Sequence, residues 1–344
     1  MNLINIGILG AGTWGTAIAC MLAQSDCTVT VWSALPQEIV TLSQTHKHPN
    51  LPDLTIPDSV LFTNDLSSAC AKKDLLVFAV PSVFVRKTAE KAAPFIPDGQ
   101  IIADLAKGIE PDTLFTLTEV IRDELQAKGK RVGIRLVALS GPTHAEEVAQ
   151  QLPTTIVSAS EDREAAEFVQ RVFTSAYMRV YTSADIKGVE VSGAMKNILA
   201  LAAGISAGLG YGANLKAAII TRGLAEITRL GLAMGCAEQT FYGLAGIGDM
   251  IVTATSEHSR NNRAGMLIGQ GYSAKEASER VGMVVEGIHA LPAAMRLAEK
   301  YKVDLPITFA VNDVVTGVKS PEQAVRELMA RTQGQEFPLA KTYE

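Results

Sequence analysis

A lysine, Lys196, stands in the middle of VEVSGAMKNILALAAGISAGLG, residues 189–210, where nearly every other side chain is small or apolar. An ammonium group is costly to hold away from water unless a counter-charge pairs with it or its pKa falls. A lysine whose pKa has fallen toward neutrality is a general acid or base. Near the start of the chain, NIGILGAGTWGTAIACML sets Gly10, Gly12 and Gly15 in the spacing G-x-G-x-x-G, after an apolar run and before a helical pattern. In that context Gly10 allows a tight turn, Gly12 lets a pyrophosphate approach the backbone, and Gly15 lets helix and strand pack closely. Further on, TSEHSRNNRAG places Ser259 as the cap of a helix whose first turn carries Arg260, Asn261 and Asn262. A helix N-terminus bearing an arginine and amides suits a phosphate, and a solvated capping turn is the plainer alternative. Proton transfer, dinucleotide binding and anion binding are therefore the three kinds of chemistry on offer.

These residues need elements to hold them. Apolar runs at 5–9, 28–32, 75–80, 100–105, 135–139, 154–159 and 178–183 read as strands. Their lack of alternation suits a parallel sheet covered on both faces, and the helical stretches between them make βαβ units. After SADIKG the strands stop, and helices are expected at 187–209, 214–234, 260–270, 273–281, 286–301 and 306–317, with Pro292, Pro306 and Pro321 at kinks or starts. The fold class is thus α/β, a Rossmann-type doubly wound sheet over 1–186 followed by an all-helical domain over 187–344. HKHPNLPDLTIPD, residues 46–58, reads as a loop.

Ligands of a doubly wound sheet gather beyond the carboxyl ends of its strands. There the sequence offers PSVF, then AKGIEP with Lys107, then SGPTHAEE with Gly141 and Thr143 at a helix start, and AGIGDM with Asp249 from the helical half. By position alone Lys107 could equally be a solvated surface lysine. The second strand runs into VWSALPQE, where Ser33 and Ala34 are neither the acid that marks NAD nor the arginine that marks NADP. Glu38 lies too far into the next helix to serve, so the sequence leaves that choice open.

Composition bounds the alternatives. The 344 residues are 47% hydrophobic and 19% charged, which is globular and long enough for two domains. A net charge of −5 argues against nucleic acid as a partner but allows a small anion held by local cations. Cys20, Cys27, Cys70 and Cys236 show no metal spacing, and free thiols in a reducing compartment are expected. The chain opens on a strand without a signal sequence, and the 189–210 stretch, with Lys196 inside it, reads as a buried helix rather than a membrane span. A cytoplasmic protein is expected. His46 and His48 lack a third metal ligand, and His144 lacks the H-E-x-x-H spacing.

The set GAGTWGTA, AKGIE, SGPTHAEEV, GAMKNILALAAGISAGLGYGANLKAAIITRGLAE, AGIGDM, TSEHSRNNRAG and VVEG, in order across nearly the whole chain, resembles bacterial NAD(P)-dependent glycerol-3-phosphate dehydrogenases. The resemblance implies NAD or NADP as cofactor, a small phosphorylated substrate, a role in glycerophospholipid synthesis and a homodimer. It makes Lys196 the proton acceptor in alcohol oxidation, with Lys107 and Asp249 as catalytic neighbours. Lys107, Gly141, Thr143, Lys196, Asp249, Ser259, Arg260 and Asn261 then surround sn-glycerol 3-phosphate. Thr13, Trp14, Lys107, Ala145, Arg260, Val284 and Glu286 lie near the cofactor, together with Gly10, Gly12, Gly15 and Ser33. The chain departs from the pattern at Ala106, where many relatives carry Ser or Thr, and at SALP, where many carry a basic residue. Two rival readings remain open here: a β-hydroxyacid dehydrogenase, which acts on a carboxylate, and a non-catalytic nicotinamide sensor, which needs neither Lys196 nor Asp249.

Overall fold

In the computed structural model, which describes residues 3–129, 131–332 and 336, the apolar runs of the first half pair into one sheet. Its strands are β1 (Ile4–Leu9), β2 (Cys27–Trp32), β3 (Val60–Thr63), β4 (Leu75–Phe78), β5 (Ile101–Asp104), β6 (Arg135–Ser140), β7 (Thr154–Ala159) and β8 (Met178–Ser183). Their spatial order is β3-β2-β1-β4-β5-β6-β7-β8. The order reverses at β1, so the crevice between the ends of β1 and β4 is the topological switch point where a dinucleotide binds in such folds. The sheet is mostly rather than wholly parallel: β7 runs antiparallel to β6, with β8 parallel to β7. β8 alternates buried and exposed residues, as an edge strand with one wet face does.

Helices α1 (Thr13–Leu22), α2 (Pro36–Thr45), α3 (Leu66–Cys70), α4 (Val85–Ala92), α5 (Leu117–Arg122), α6 (Ala145–Ala149) and α7 (Arg163–Phe173) flank the sheet. The second half is helical: α8 (Ile186–Gly208), α9 (Ala213–Ala233), α10 (Glu238–Phe241), α11 (Asp249–Thr255), α12 (Arg260–Gly269), α13 (Ala274–Val281), α14 (Glu286–Tyr301), α15 (Pro306–Val315) and α16 (Pro321–Met329). The outer ends of the two expected domains, residues 1–2 and 337–344, lie outside the described residues. The strand β3 and, in the second half, the helices α10, α11 and α16 lie outside the ranges expected from sequence, the last of them marked there only by Pro321 at its start.

α8 is buried along nearly its whole length, from Ile186 to Ser206, which is why its composition has no polar face. It is the axis of the second domain, packed by α9, α11, α12 and α14. Its crossing with α12 is backbone against backbone. A Cβ on Gly204 would lie 2.1 Å from the Asn262 carbonyl oxygen, and one on Gly265 would lie 2.2 Å from that of Leu201. Neither obstacle is a side chain that could swing aside. Gly265→Ala is therefore expected to cost about 1–3 kcal/mol by overpacking, read as a lower urea midpoint at unchanged m value.

Candidate active site

The Lys196 amine leaves α8 toward the sheet and meets α11. Its Nζ donates to Asp249 Oδ1 at 2.6 Å and to Thr253 Oγ1 at 2.5 Å. Asp249 opens α11, and its other oxygen, Oδ2, accepts from Lys107 Nζ at 2.7 Å. Lys107 comes from beyond the end of β5 and also donates to the Gly141 carbonyl at 3.1 Å and to Thr143 Oγ1 at 3.3 Å. One buried carboxylate thus joins two lysines, one from each half of the chain. The turn that carries Lys107 is shaped by Asp104, whose Oδ1 accepts from the Ala106 N–H at 3.2 Å. Burial pushes the Asp104 carboxyl well above its ordinary value, as does its neighbour Glu190.

Burial brings the Lys196 pKa down to about 8, with Lys107 adding to the fall and Asp249 opposing it. For Asp249 burial acts upward, but Lys107 and Lys196 together outweigh it and hold the carboxyl below its ordinary range. A buried cluster of this kind is costly unless every charge finds a partner, and its concentration in a cleft marks a functional site.

The cluster faces a cavity of about 430 Å³ at the switch point. Gly12, Thr13 and Trp14 of the glycine loop line it, as do Ala145 at the start of α6, Ser259, Arg260 and Asn261 at the start of α12, and Glu286 at the start of α14. Lys107, Lys196, Arg260 and Arg263 line it against Glu146, Asp249 and Glu286, four cationic side chains to three acidic ones. Among the described residues the Arg260 guanidinium has no hydrogen-bond partner, although burial lowers its pKa. Ser259 caps α12 by accepting from the Asn262 N–H at 3.2 Å, which leaves the first N–H groups of the helix directed outward.

The remaining expected residues take less direct places. Gly141 supplies its carbonyl to Lys107, and Thr143 its hydroxyl. Asn261 is engaged by the protein itself: its Nδ2 donates to Asn197 Oδ1 at 2.9 Å and its Oδ1 accepts from the Gly287 N–H at 2.8 Å. It ties α12 to α8 and α14. Both oxygens of Glu286 are taken by Ser82, its N–H at 3.0 Å and its hydroxyl, so Glu286 fastens the loop after β4 to the helical half. Val284 does not line the cavity, and Met283 beside it does. Sequence reasoning also missed Asn50, Thr253, His144 and His258. Asn50 Nδ2 reaches Met283 Sδ at 3.9 Å, and the rings of His144 and His258 stand edge to face 6.0 Å apart. The partners are far apart in sequence, so no local pattern could have found them. His46 turns to the Ile56 carbonyl and Asp58, while His48 accepts from the Asn50 N–H. No group of metal-ligating side chains occurs among the described residues.

The glycine loop fits a dinucleotide. Gly10 has φ +127°, and a Cβ there would lie 2.7 Å from the Ala79 carbonyl group. A Cβ on Gly15 would lie 2.1 Å from the Gly10 oxygen, whereas around Gly12 the space is open toward the cavity. Among the described residues the buried Thr13 hydroxyl has no partner, and α1 begins without a side-chain cap. Free N–H groups at a helix start beside an open glycine cradle are what a pyrophosphate requires. Ser33 stands at the end of β2, and here the structure corrects the expectation for Glu38. The first turn of α2 folds back so that the Ser33 hydroxyl donates to Glu38 Oε2, which brings a carboxylate to the strand end after all.

Comparison with known proteins gives the family. The family described as NAD-dependent glycerol-3-phosphate dehydrogenase N-terminus matches residues 5–166, and its C-terminus counterpart matches residues 185–326. The chain is 60% identical over 335 residues to glycerol-3-phosphate dehydrogenase [NAD(P)+] 2 of Lactobacillus delbrueckii subsp. bulgaricus, covering 97% of this chain and 99% of that one. It is 50% identical over 327 residues to glycerol-3-phosphate dehydrogenase [NAD(P)+] of Agathobacter rectalis, covering 95% and 96%. The crystal structure of glycerol-3-phosphate dehydrogenase from Coxiella burnetii superposes with a TM-score of 0.91 at 35% identity, over 96% of this chain and all of that one. The chain belongs to the NAD-dependent glycerol-3-phosphate dehydrogenase family.

Proposed function

We infer that this protein interconverts dihydroxyacetone phosphate and sn-glycerol 3-phosphate, with NADH or NADPH as the reductant in the forward direction. The observation that carries the reading is the Lys107–Asp249–Lys196 bridge, open to a cavity that the first glycine loop and Arg260 also line. A reduced nicotinamide bound at that loop supplies a hydride. The chain does the rest. The Arg260 guanidinium and the first N–H groups of α12 hold the phosphate, with Ser259 fixing the turn. The Lys196 Nζ hydrogen-bonds the C2 oxygen and gives it a proton as negative charge develops there, and Lys107 adds positive charge beside it. Asp249 keeps both amines in place. In the oxidative direction the neutral Lys196 amine takes the proton from the C2 hydroxyl.

A division at 186/187 separates the cofactor-holding and substrate-holding parts in this reading. A homodimer, a cytoplasmic location and a supply role for glycerophospholipid synthesis belong to it as well. They are supported by the family resemblance, the four free thiols, and the lack among the described residues of a helix long and apolar enough to cross a membrane.

The test is the oxidation of reduced cofactor by dihydroxyacetone phosphate, followed by absorbance, with small hydroxy acids as controls. Its pH dependence has a set sign. Reduction needs the Lys196 ammonium, so kcat/KM stays level below a pH of about 8 and falls above it. Oxidation of sn-glycerol 3-phosphate needs the neutral amine and rises up to the same pH. Turnover of a hydroxy acid but not of the phosphate ester, or parallel pH profiles in both directions, would overturn the assignment.

A further inference from the structure

We propose that Glu38 selects NAD over NADP in this protein, by accepting from the adenosine ribose hydroxyls and repelling a 2′-phosphate. The inference rests on the reading of the glycine loop as the dinucleotide site. In a doubly wound sheet the adenosine ribose lies beyond the end of the second strand, and an acidic side chain there hydrogen-bonds its 2′-hydroxyl. In this chain no acid follows β2 directly in sequence. The carboxylate arrives instead from the first turn of α2, after Pro36 has set the start of that helix.

The carboxylate is held, not free to turn away. Ser33, itself buried, donates its hydroxyl proton to Glu38 Oε2 and accepts from the Leu35 N–H at 3.1 Å. The Ser33 hydroxyl therefore has no proton left for a phosphate oxygen. Glu38 Oε1 has no hydrogen-bond partner among the described residues. Glu38 lines a cavity of about 400 Å³ together with Gly12, Thr13, His48 and Asn50, so the carboxylate and the glycine loop share one space. That cavity continues the one at the Lys107–Asp249–Lys196 cluster, since Gly12, Thr13, Asn50 and Met283 line both. A dinucleotide laid over Gly12 would have its nicotinamide end on the lysine side and its adenosine end on the Glu38 side.

Nothing in the adenosine-side cavity would welcome a second phosphate. Among the described residues no lysine or arginine lines it. Lys47, close by in the chain, turns to the Pro52 carbonyl and Thr55 Oγ1, each at 3.4 Å. The histidine there, His48, has its pKa lowered, chiefly by burial. A 2′-phosphate would thus meet a fixed carboxylate without a compensating cation, and specificity of this kind comes as much from the repelled ligand as from the accepted one.

The experiment is a fluorescence titration of the full-length protein with NADH and with NADPH, without substrate, for the wild type and for Glu38→Gln. Glutamine keeps the length of the side chain and a carbonyl oxygen for the Ser33 hydroxyl, but not the charge. We expect wild type to bind NADH tighter by roughly 10²-fold or more, the scale on which like charges brought together discriminate. In Glu38→Gln the Kd for NADPH should fall by about tenfold or more, and that for NADH should rise only a few-fold. Glu38→Arg should go further and favour NADPH. Equal binding of the two cofactors by wild type, or a Kd ratio unmoved by Glu38→Gln, overturns the role of Glu38 and leaves the dinucleotide site standing. Binding of neither cofactor overturns the site and this inference together.

Discussion

Replacing Lys196 by Met abolishes most turnover, by roughly 10²–10⁴-fold in kcat, in a protein that still folds and still binds reduced cofactor. The size follows from the role: a positioned acid that protonates the C2 oxygen leaves water as its only substitute. That the variant folds follows from the geometry around Asp249. This carboxylate is buried, and removing its only partner would leave a lone charge away from water, which is strongly destabilising. Here Lys107 remains on Oδ2 at 2.7 Å, so Asp249 keeps a counter-ion. Methionine also fills the space of the lysine stem without bringing a charge into the core. Steady-state kcat and cofactor Kd, measured side by side, decide the matter. A kcat within tenfold of wild type rejects the proton-transfer role, and loss of folding together with cofactor binding makes Lys196 a structural residue.

Arg260→Ala separates the phosphate from the chemistry. The guanidinium lines the cavity, has no protein partner among the described residues, and stands at a helix start that already favours an anion. An arginine–phosphate contact is charge-assisted and can be bidentate, and losing one such partner costs about 2–5 kcal/mol. kcat/KM for dihydroxyacetone phosphate should drop by roughly 10²–10⁴-fold. Unphosphorylated dihydroxyacetone, a poor substrate throughout, should lose far less because it never makes the contact. Arg260→Lys should recover only part of the loss, since an ammonium cannot reproduce the planar fork. The informative quantity is the ratio of kcat/KM for the two substrates in wild type and variant. An equal loss on both means that Arg260 serves the cofactor or the proton step, and that another group holds the phosphate.

What could be read from the sequence was what is local. The strands of the first half announce themselves as short apolar runs, and α8 as a long run of small residues around one lysine. β3 escaped because VLFT is four residues at a sheet edge, directly after a proline-rich loop. α11 escaped because DMIVTAT is rich in β-branched residues, which disfavour a helix, and forms one only against its tertiary neighbours. Of the site, the glycine loop and the capped turn at Ser259 were legible because each is a continuous stretch with one physical job. The resemblance grouped Lys107 and Asp249 with Lys196, but the bond between the first two, across 142 positions, and the Asn50–Met283 contact, across 233, are visible only in the fold. Glu38 shows the opposite error. Counting along the chain put it out of reach of the strand end, while the first turn of a helix returns it to within a hydrogen bond of Ser33.

The crossing of α8 and α12 works as a gauge. Lys196 projects from one helix and Arg260 from the head of the other, and below them the two backbones touch through Gly204 and Gly265 with no side chain between. Side chains at a helix interface can adopt new rotamers and let the axes drift, but two backbones in contact have no such play. The placement of the Lys196 stem relative to the head of α12 is therefore set by main-chain atoms rather than by side-chain packing at the crossing. In the proposed reaction, where the amine serves the C2 oxygen and the guanidinium the phosphate, the spacing between those two substrate groups is matched by the meeting of two helices rather than by the walls of the pocket.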